Sequence, residues 1–198
     1  NNIIKILKKA DLNITDIIIK EKEVSKDNKV SEYNHDDDVE LIHSINDNIE
    51  LIHSINNKNY SLKFGQESEG TKKYYSFSGI LIILISNFST IVSIDELESS
   101  LHPELFQHFL LTFLVNSKNS QLIATSHYRE ILNNRDIFRD DAIWFTDKNE
   151  DSATELYSLA DFDSSVVRDT TNVLNAYKSG KLGGVPNLGD YYIDLDEE

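Results

Sequence analysis

The chain has 198 residues, the size of one domain or two very small ones, and its 39% hydrophobic and 10% aromatic content is enough for a core, which excludes a wholly disordered chain. With 34 acids against 19 bases the net charge is −15, so the general surface is a poor non-specific binder of nucleic acid. No cysteine is present, which excludes disulfide scaffolds, thiolate metal sites and cysteine nucleophiles, and nothing requires an oxidising compartment.

Residues 1–10 (NNIIKILKKA) carry apolar residues at the spacing of a short amphipathic helix. Residues 16–24 read as a strand leaving the core, and residues 25–40, with the run His35-Asp36-Asp37-Asp38, as a solvated loop. The hexapeptide LIHSIN at 41–46 recurs at 51–56, which suits a hairpin of two like strands or a duplicated loop segment; two copies are too few for a solenoid. Residues 60–64 alternate as a further strand. Residues 78–87 (SGILIILISN) are apolar nearly all round and predict a buried helix, far short of the roughly 20 residues of a membrane span.

Residues 90–94 (TIVSI) and 121–125 (QLIAT) predict two short buried strands. Between them 103–115 has helical spacing with Pro103 at the first helical position, and Ser100 is a candidate helix cap. Residues 128–132 predict a short helix, and 142–146 and 154–159 a hairpin turning at Lys148-Asn149-Glu150-Asp151, with Trp144 in the core. Residues 166–177 predict a last helix stopped by Gly180, Gly183, Gly184 and Pro186. Residues 190–198 form an acidic tail, expected to be mobile.

Four short stretches carry chemistry in a fixed order. Glu67-Ser68-Glu69-Gly70-Thr71-Lys72-Lys73 opens the buried helix, where small residues leave backbone N–H groups able to meet an anion; a capped helix start is the plainer reading. Residues 91–96 (IVSIDE) deliver two adjacent carboxylates to a strand end. One, Asp95, is suited to hold Mg²⁺, and the next, Glu96, to orient and deprotonate a water. Leu97 to Pro103 make a tight loop into a helix. Residues 122–127 end a second strand in Ser126-His127, where a histidine can bond a terminal phosphate and the attacking water.

Taken in order, these stretches resemble the C-terminal half of an ABC-type ATPase domain of the RecF/SMC-like branch. The resemblance makes Ser68, Gly70 and Lys72 the signature motif, residues 91–96 the Walker B motif, residues 98–103 the D-loop and His127 the switch histidine. Over residues 67–188 the chain is similar to the bacterial AAA-family ATP-binding proteins of phage-defence and toxin–antitoxin operons, including those of Septu-like and some retron systems. ESEGTKK, IDELESSLHPEL, TSHYREIL, RDDAIWFTDKNEDSATELYSL and AYKSGKLGGVPNL carry it.

The resemblance implies an α/β fold: the C-terminal part of an ABC-type P-loop NTPase domain with extra antiparallel strands. Residues 1–15 would end a helical lid, 16–66 return to the core, 67–188 form the ATPase half, and 189–198 the tail. It implies ATP and Mg²⁺ as cofactors, with Glu96 and His127 catalytic, Asp95 holding the metal, and Ser68, Gly70, Lys72 and Ser100 on nucleotide. Two such domains would pair head to tail, with Ser68 and Gly70 facing the γ-phosphate in trans. The implied role is a cytoplasmic ATPase, a homodimer or higher oligomer, that controls an effector nuclease or toxin in defence against phage. Nucleic acid would enter only through a partner or an upstream half, and no membrane is involved. Lys72 departs from the glutamine of transporter signatures, and Glu69 replaces a small residue.

No stretch reads G-x-x-x-x-G-K-[ST]: of the seven glycines only Gly180 precedes a lysine, with no glycine at 175 and no Ser or Thr after Lys181. With the start Asn1-Asn2 and no methionine, the expectation is that the P-loop half lies upstream. Two other function classes fit less of the sequence. A non-hydrolysing scaffold has no need of the Asp95-Glu96 pair and His127, and a DNA-repair ATPase binding duplex ends sits poorly with the charge. Metal binding by His35 to Asp38, by His102 with His108, or by Asp194 and Asp196 is less economical than a solvated run, a loop residue and a tail.

Overall fold

The computed structural model describes residues 2–10, 12–20, 48–86, 88–134, 136–163, 165–167 and 172–186. The acidic run at 35–38, the first copy of the hexapeptide, His43 and the acidic tail fall outside them. The chain is mixed α/β and divides into two compact units, Asn1–His127 and Tyr128–Glu198.

The first unit opens with helix α1 (Asn2–Lys9), whose Ile6 and Leu7 are buried while Lys8 and Lys9 lie in its last turn, where positive charge complements the helix dipole. An antiparallel sheet follows, in the order β1 (Ile14–Ile19), β2 (Ile49–Ile55), β3 (Lys58–Lys63). The second hexapeptide copy forms most of β2. Ile55 pairs with Lys58, so the hairpin turns on Asn56-Asn57 alone, and both asparagines take positive φ (51° and 61°). Such a turn matches the twist of the flanking strands, and asparagine tolerates the left-handed backbone.

Helix α2 (Glu69–Ile85) begins nine residues before the expected buried helix and is one-sided rather than apolar all round. Tyr74, Phe77, Leu81 and Leu84 are buried, whereas Ile83 is largely exposed. Helix α3 (Pro103–Asn116) packs on it through Phe106, Phe109, Leu110 and Phe113, with Phe77 and Phe109 ring centroids 5.4 Å apart. Its N-cap is His102, without a side-chain cap bond, so Ser100 does not cap it; Pro103 sits at the helix start as expected. Tyr74 is fully buried and shares a 2.5 Å hydrogen bond with His108 Nδ1, tying α2 to α3.

Strands β4 (Ile91–Ile94) and β5 (Gln121–Ala124) pair in parallel, Ile91 with Gln121 through Ile94 with Ala124. They were expected to be buried, and that is corrected: Ile91 is 68% exposed and Ile123 61%. Parallel strands are normally covered on both faces. Here, among the described residues, the pair forms a sheet of only two, so Ile91 and Ile123 face solvent while Val92, Ile94 and Leu122 are half-buried.

In the second unit β6 (Trp144–Lys148) and β7 (Thr154–Ser158) form the expected antiparallel hairpin, with Asn149 Oδ1 accepting from the backbone N–H of Asp151 and Ala153 in the turn. Trp144 is not core: strand alternation turns Phe145 inward and leaves Trp144 56% exposed, its indole N–H donating to the Asp141 carbonyl. The short helix expected at 128–132 is a 3₁₀ helix, Arg129–Asn133. The described part of the last helix, α4, spans only Val173–Lys178, so Val166 and Val167 lie outside it. Gly180, Gly183 and Gly184 follow it with positive φ, the backbone that ends a helix most cheaply with glycine.

Candidate functional site

The parallel pairing of β4 and β5 brings their C-terminal ends side by side, and those ends carry Asp95-Glu96 and Thr125-Ser126-His127. Beyond the strands the pairing continues in the backbone: Thr125 N–H donates to the Ile94 carbonyl and Leu97 N–H to the Thr125 carbonyl, each 3.1 Å. Residues some 30 apart in sequence are thereby locked into one edge. Fully buried Leu97 anchors the turn beneath the exposed acids.

Thr125 is the hinge of this edge. Its hydroxyl donates to Asp95 Oδ1 and accepts the Glu96 N–H at 2.9 Å, so one side chain orients the first carboxylate and the backbone of the second. Glu96 itself has φ of +45° and Ser100 +61°. Left-handed backbone on two non-glycine residues within five positions is local strain held by the surrounding bonds. The bend brings Glu96 Oε1 to 3.7 Å from His127 Nε2, both side chains standing open to solvent.

The turn after Glu96 is closed by two short-range bonds, Ser99 N–H to the Glu96 carbonyl and Leu101 N–H to the Glu98 carbonyl, both 2.9 Å. Glu98 turns its carboxylate the other way, toward β5, where Oε1 accepts the His127 backbone N–H at 2.7 Å. Burial would raise the Glu98 carboxyl, but the His127 amide, the Ser126 hydroxyl and its own N–H outweigh that and hold it below the usual carboxylate range.

The start of α2 forms the other part of the candidate site. Ser68 is its N-cap: Oγ accepts from Thr71 N–H at 3.1 Å and lies 2.8 Å from Thr71 Oγ1. The plainer reading of this stretch, a capped helix start, therefore holds for the Ser68 hydroxyl. Lys72 Nζ pairs with Glu69 one turn back at 2.9 Å. Gly70 meets the turn after β4: a Cβ there would lie 3.1 Å from the Ser100 carbonyl. The structure thus brings Asp95, Glu96 and His127 to one edge, and places Gly70 against Ser100.

Three contributing residues escaped the sequence reading. Thr125 and Glu98 lie within the motif stretches, but only the strand register shows what they bond. His53 counted only as part of a repeat; its Nε2 lies 2.7 Å from Glu67 Oε1, both side chains mostly buried, pinning β2 to the residue just before the α2 cap. No local pattern connects positions 53 and 67.

Among the described residues no three His, Asp or Glu side chains converge as a metal cage. What Asp95 offers is a single exposed carboxylate, one oxygen of which is engaged by Thr125. One carboxylate suits Mg²⁺, which keeps most of its waters and takes phosphate oxygens for the rest.

In this mixed α/β domain the paired acids and the histidine stand at the C-terminal ends of parallel strands, the edge at which open α/β sheets commonly bind ligands. The particular family follows from comparison with known families. Residues 2–133, two-thirds of the chain, match the family model described as "AAA domain, putative AbiEii toxin, Type IV TA system", and the chain belongs to that family. The match takes in α1 and the antiparallel sheet as well as the candidate edge. No curated protein matches the chain. Among the described residues no helix is long and apolar enough to cross a membrane.

Proposed function

We propose that this chain is the C-terminal half of an ABC-type ATPase module that hydrolyses ATP and, through nucleotide-driven head-to-tail pairing, controls an associated effector in a toxin–antitoxin or defence system. The observation that carries the reading is the edge formed by Asp95-Glu96 and His127, with Glu96 and His127 3.7 Å apart at the ends of neighbouring parallel strands. Family membership supports the AAA assignment.

In this reading Asp95 would hold Mg²⁺, which would offset the charge of the phosphates. Glu96 accepts the proton of the attacking water, and His127 donates a hydrogen bond to the terminal phosphate. Ser68, Gly70, Lys72 and Ser100 face nucleotide held by a second copy, the N-terminus of α2 adding its dipole. Glu96 and His127 are 56% and 87% exposed at their side chains, which suits a site closed by another protein surface. No stretch of the 198 residues reads G-x-x-x-x-G-K-[ST], so in this reading the backbone cradle for the other phosphates comes from outside them.

Glu96→Gln tests the reading in the intact protein. It keeps the shape and removes the base, so turnover falls by about a hundredfold or more while ATP remains bound and the assembly persists. Turnover unchanged by the substitution would remove Glu96 as the base, and absence of turnover with assembly insensitive to both ATP and the substitution would leave only a scaffold.

A further inference from the structure

We propose that Glu98 is a positioning residue that ties the loop carrying His127 to the turn carrying Ser100, and through that turn to the start of α2 at Gly70. The functional side of this proposal rests on the ATPase reading; the tie itself rests on geometry.

Each link is visible. The Glu98 carboxylate reaches across from the turn after β4 to accept the His127 N–H at 2.7 Å, with Oε2 closed off from solvent. The Glu98 carbonyl accepts Leu101 N–H, which shapes the turn that sets Ser100 at φ +61°. The Ser100 carbonyl then sits where even a methyl group on Gly70 would press it, at 3.1 Å. A displacement at His127 is therefore passed through a hydrogen-bonded carboxylate into the turn from Glu96 to Leu101, with its two left-handed residues, and from there into the first turn of α2. Charge-assisted bonds to a backbone N–H are strong enough to transmit such a displacement. Glu98 itself touches no reacting atom: Glu96 and Asp95 occupy the exposed edge, while Glu98 turns away beneath the His127 loop.

The test combines amide hydrogen exchange with steady-state kinetics on the intact protein bearing Glu98→Ala or Glu98→Gln. Losing a hydrogen bond to a charged acceptor speeds exchange at His127 by about tenfold or more in Glu98→Ala, while amides within α3, such as Phe109, stay unchanged. Glu98→Gln keeps a carbonyl acceptor and restores most of that protection. For ATP turnover, Glu98→Ala lowers kcat by about tenfold because the placement of His127 suffers, and Glu98→Gln restores most of it. Gly70→Ala, which pushes on Ser100, shifts the His127 amide resonance in the wild-type background and not in Glu98→Ala.

Unaltered His127 exchange in Glu98→Ala overturns the tie. So does a His127 response to Gly70→Ala that survives removal of Glu98. Absence of turnover in the wild-type protein overturns the ATPase reading instead, and the exchange measurements still decide the tie.

Discussion

Thr125 illustrates how much a single small side chain does at this edge. It bridges the Asp95 carboxylate and the Glu96 N–H, so Thr125→Val, equal in shape but unable to hydrogen-bond, frees the first acid to rotate and lets the left-handed Glu96 backbone relax. ATP turnover should fall by about tenfold or more in Thr125→Val and recover in Thr125→Ser, measured by phosphate release. Equal rates for the two variants would mean that the hydroxyl is not what orients the acids. In the sequence Asp95, Glu96 and His127 were legible because residue types that bind metal or move protons stood at predicted strand ends. Thr125 and His53 were not, because their importance lies in whom they bond.

At the scale of elements, the α2–α3 contact has a pH signature. Burial, with help from the Lys9 charge, lowers the His108 imidazole below its usual 6.5, and burial raises the Tyr74 phenol well above its usual 10.0. The folded state therefore takes up fewer protons at His108 than the unfolded chain in acid, and stability falls as pH drops below 6.5. It keeps the Tyr74 proton when the unfolded chain releases it, so stability also falls as pH rises above 10.0. Urea midpoints across pH should form a plateau between those limits. Tyr74→Phe should flatten the alkaline side, and His108→Gln the acid side; an alkaline limb that persists in Tyr74→Phe would assign it to other groups.

The glycine turn of the second unit gives another prediction at this scale. Gly183 has φ of +68°, and a Cβ there would lie 2.2 Å from the Tyr157 hydroxyl, which donates to the Leu182 carbonyl at 2.8 Å. Gly183→Ala meets both a backbone penalty and a clash, and should lower stability by about 2–4 kcal/mol. Gly65→Ala, which meets nothing within 4 Å, should cost far less in the same denaturation experiment.

For the whole molecule, a strong negative charge and uncovered apolar residues oppose one another. Phe88, Ile91, Val115 and Ile123 are all exposed on the first unit, while the chain carries −15. Self-repulsion of that charge opposes association through these residues, and screening or neutralising it weakens the opposition. Light scattering of this chain should rise with added salt and as pH approaches 4.7, and Phe88→Ser with Val115→Ser should suppress the rise. Association indifferent to both would point away from these residues.

The sequence by itself determined the kinds of elements, the order of the motif stretches and the family to which they point. Those features are local: the 3.6-residue and two-residue periods, glycines where φ turns positive, and carboxylates beside strand ends all lie within a dozen neighbouring positions. Only the tertiary structure decided that β4 and β5 pair with their C-terminal ends together and that Ile91 and Ile123 stand open to solvent. It alone decided that Thr125, Glu98 and His53 hold the edge and the start of α2 in place. Those outcomes depend on bonds between residues 14 to 30 positions apart, and a periodic pattern carries no information about which strand will lie beside which.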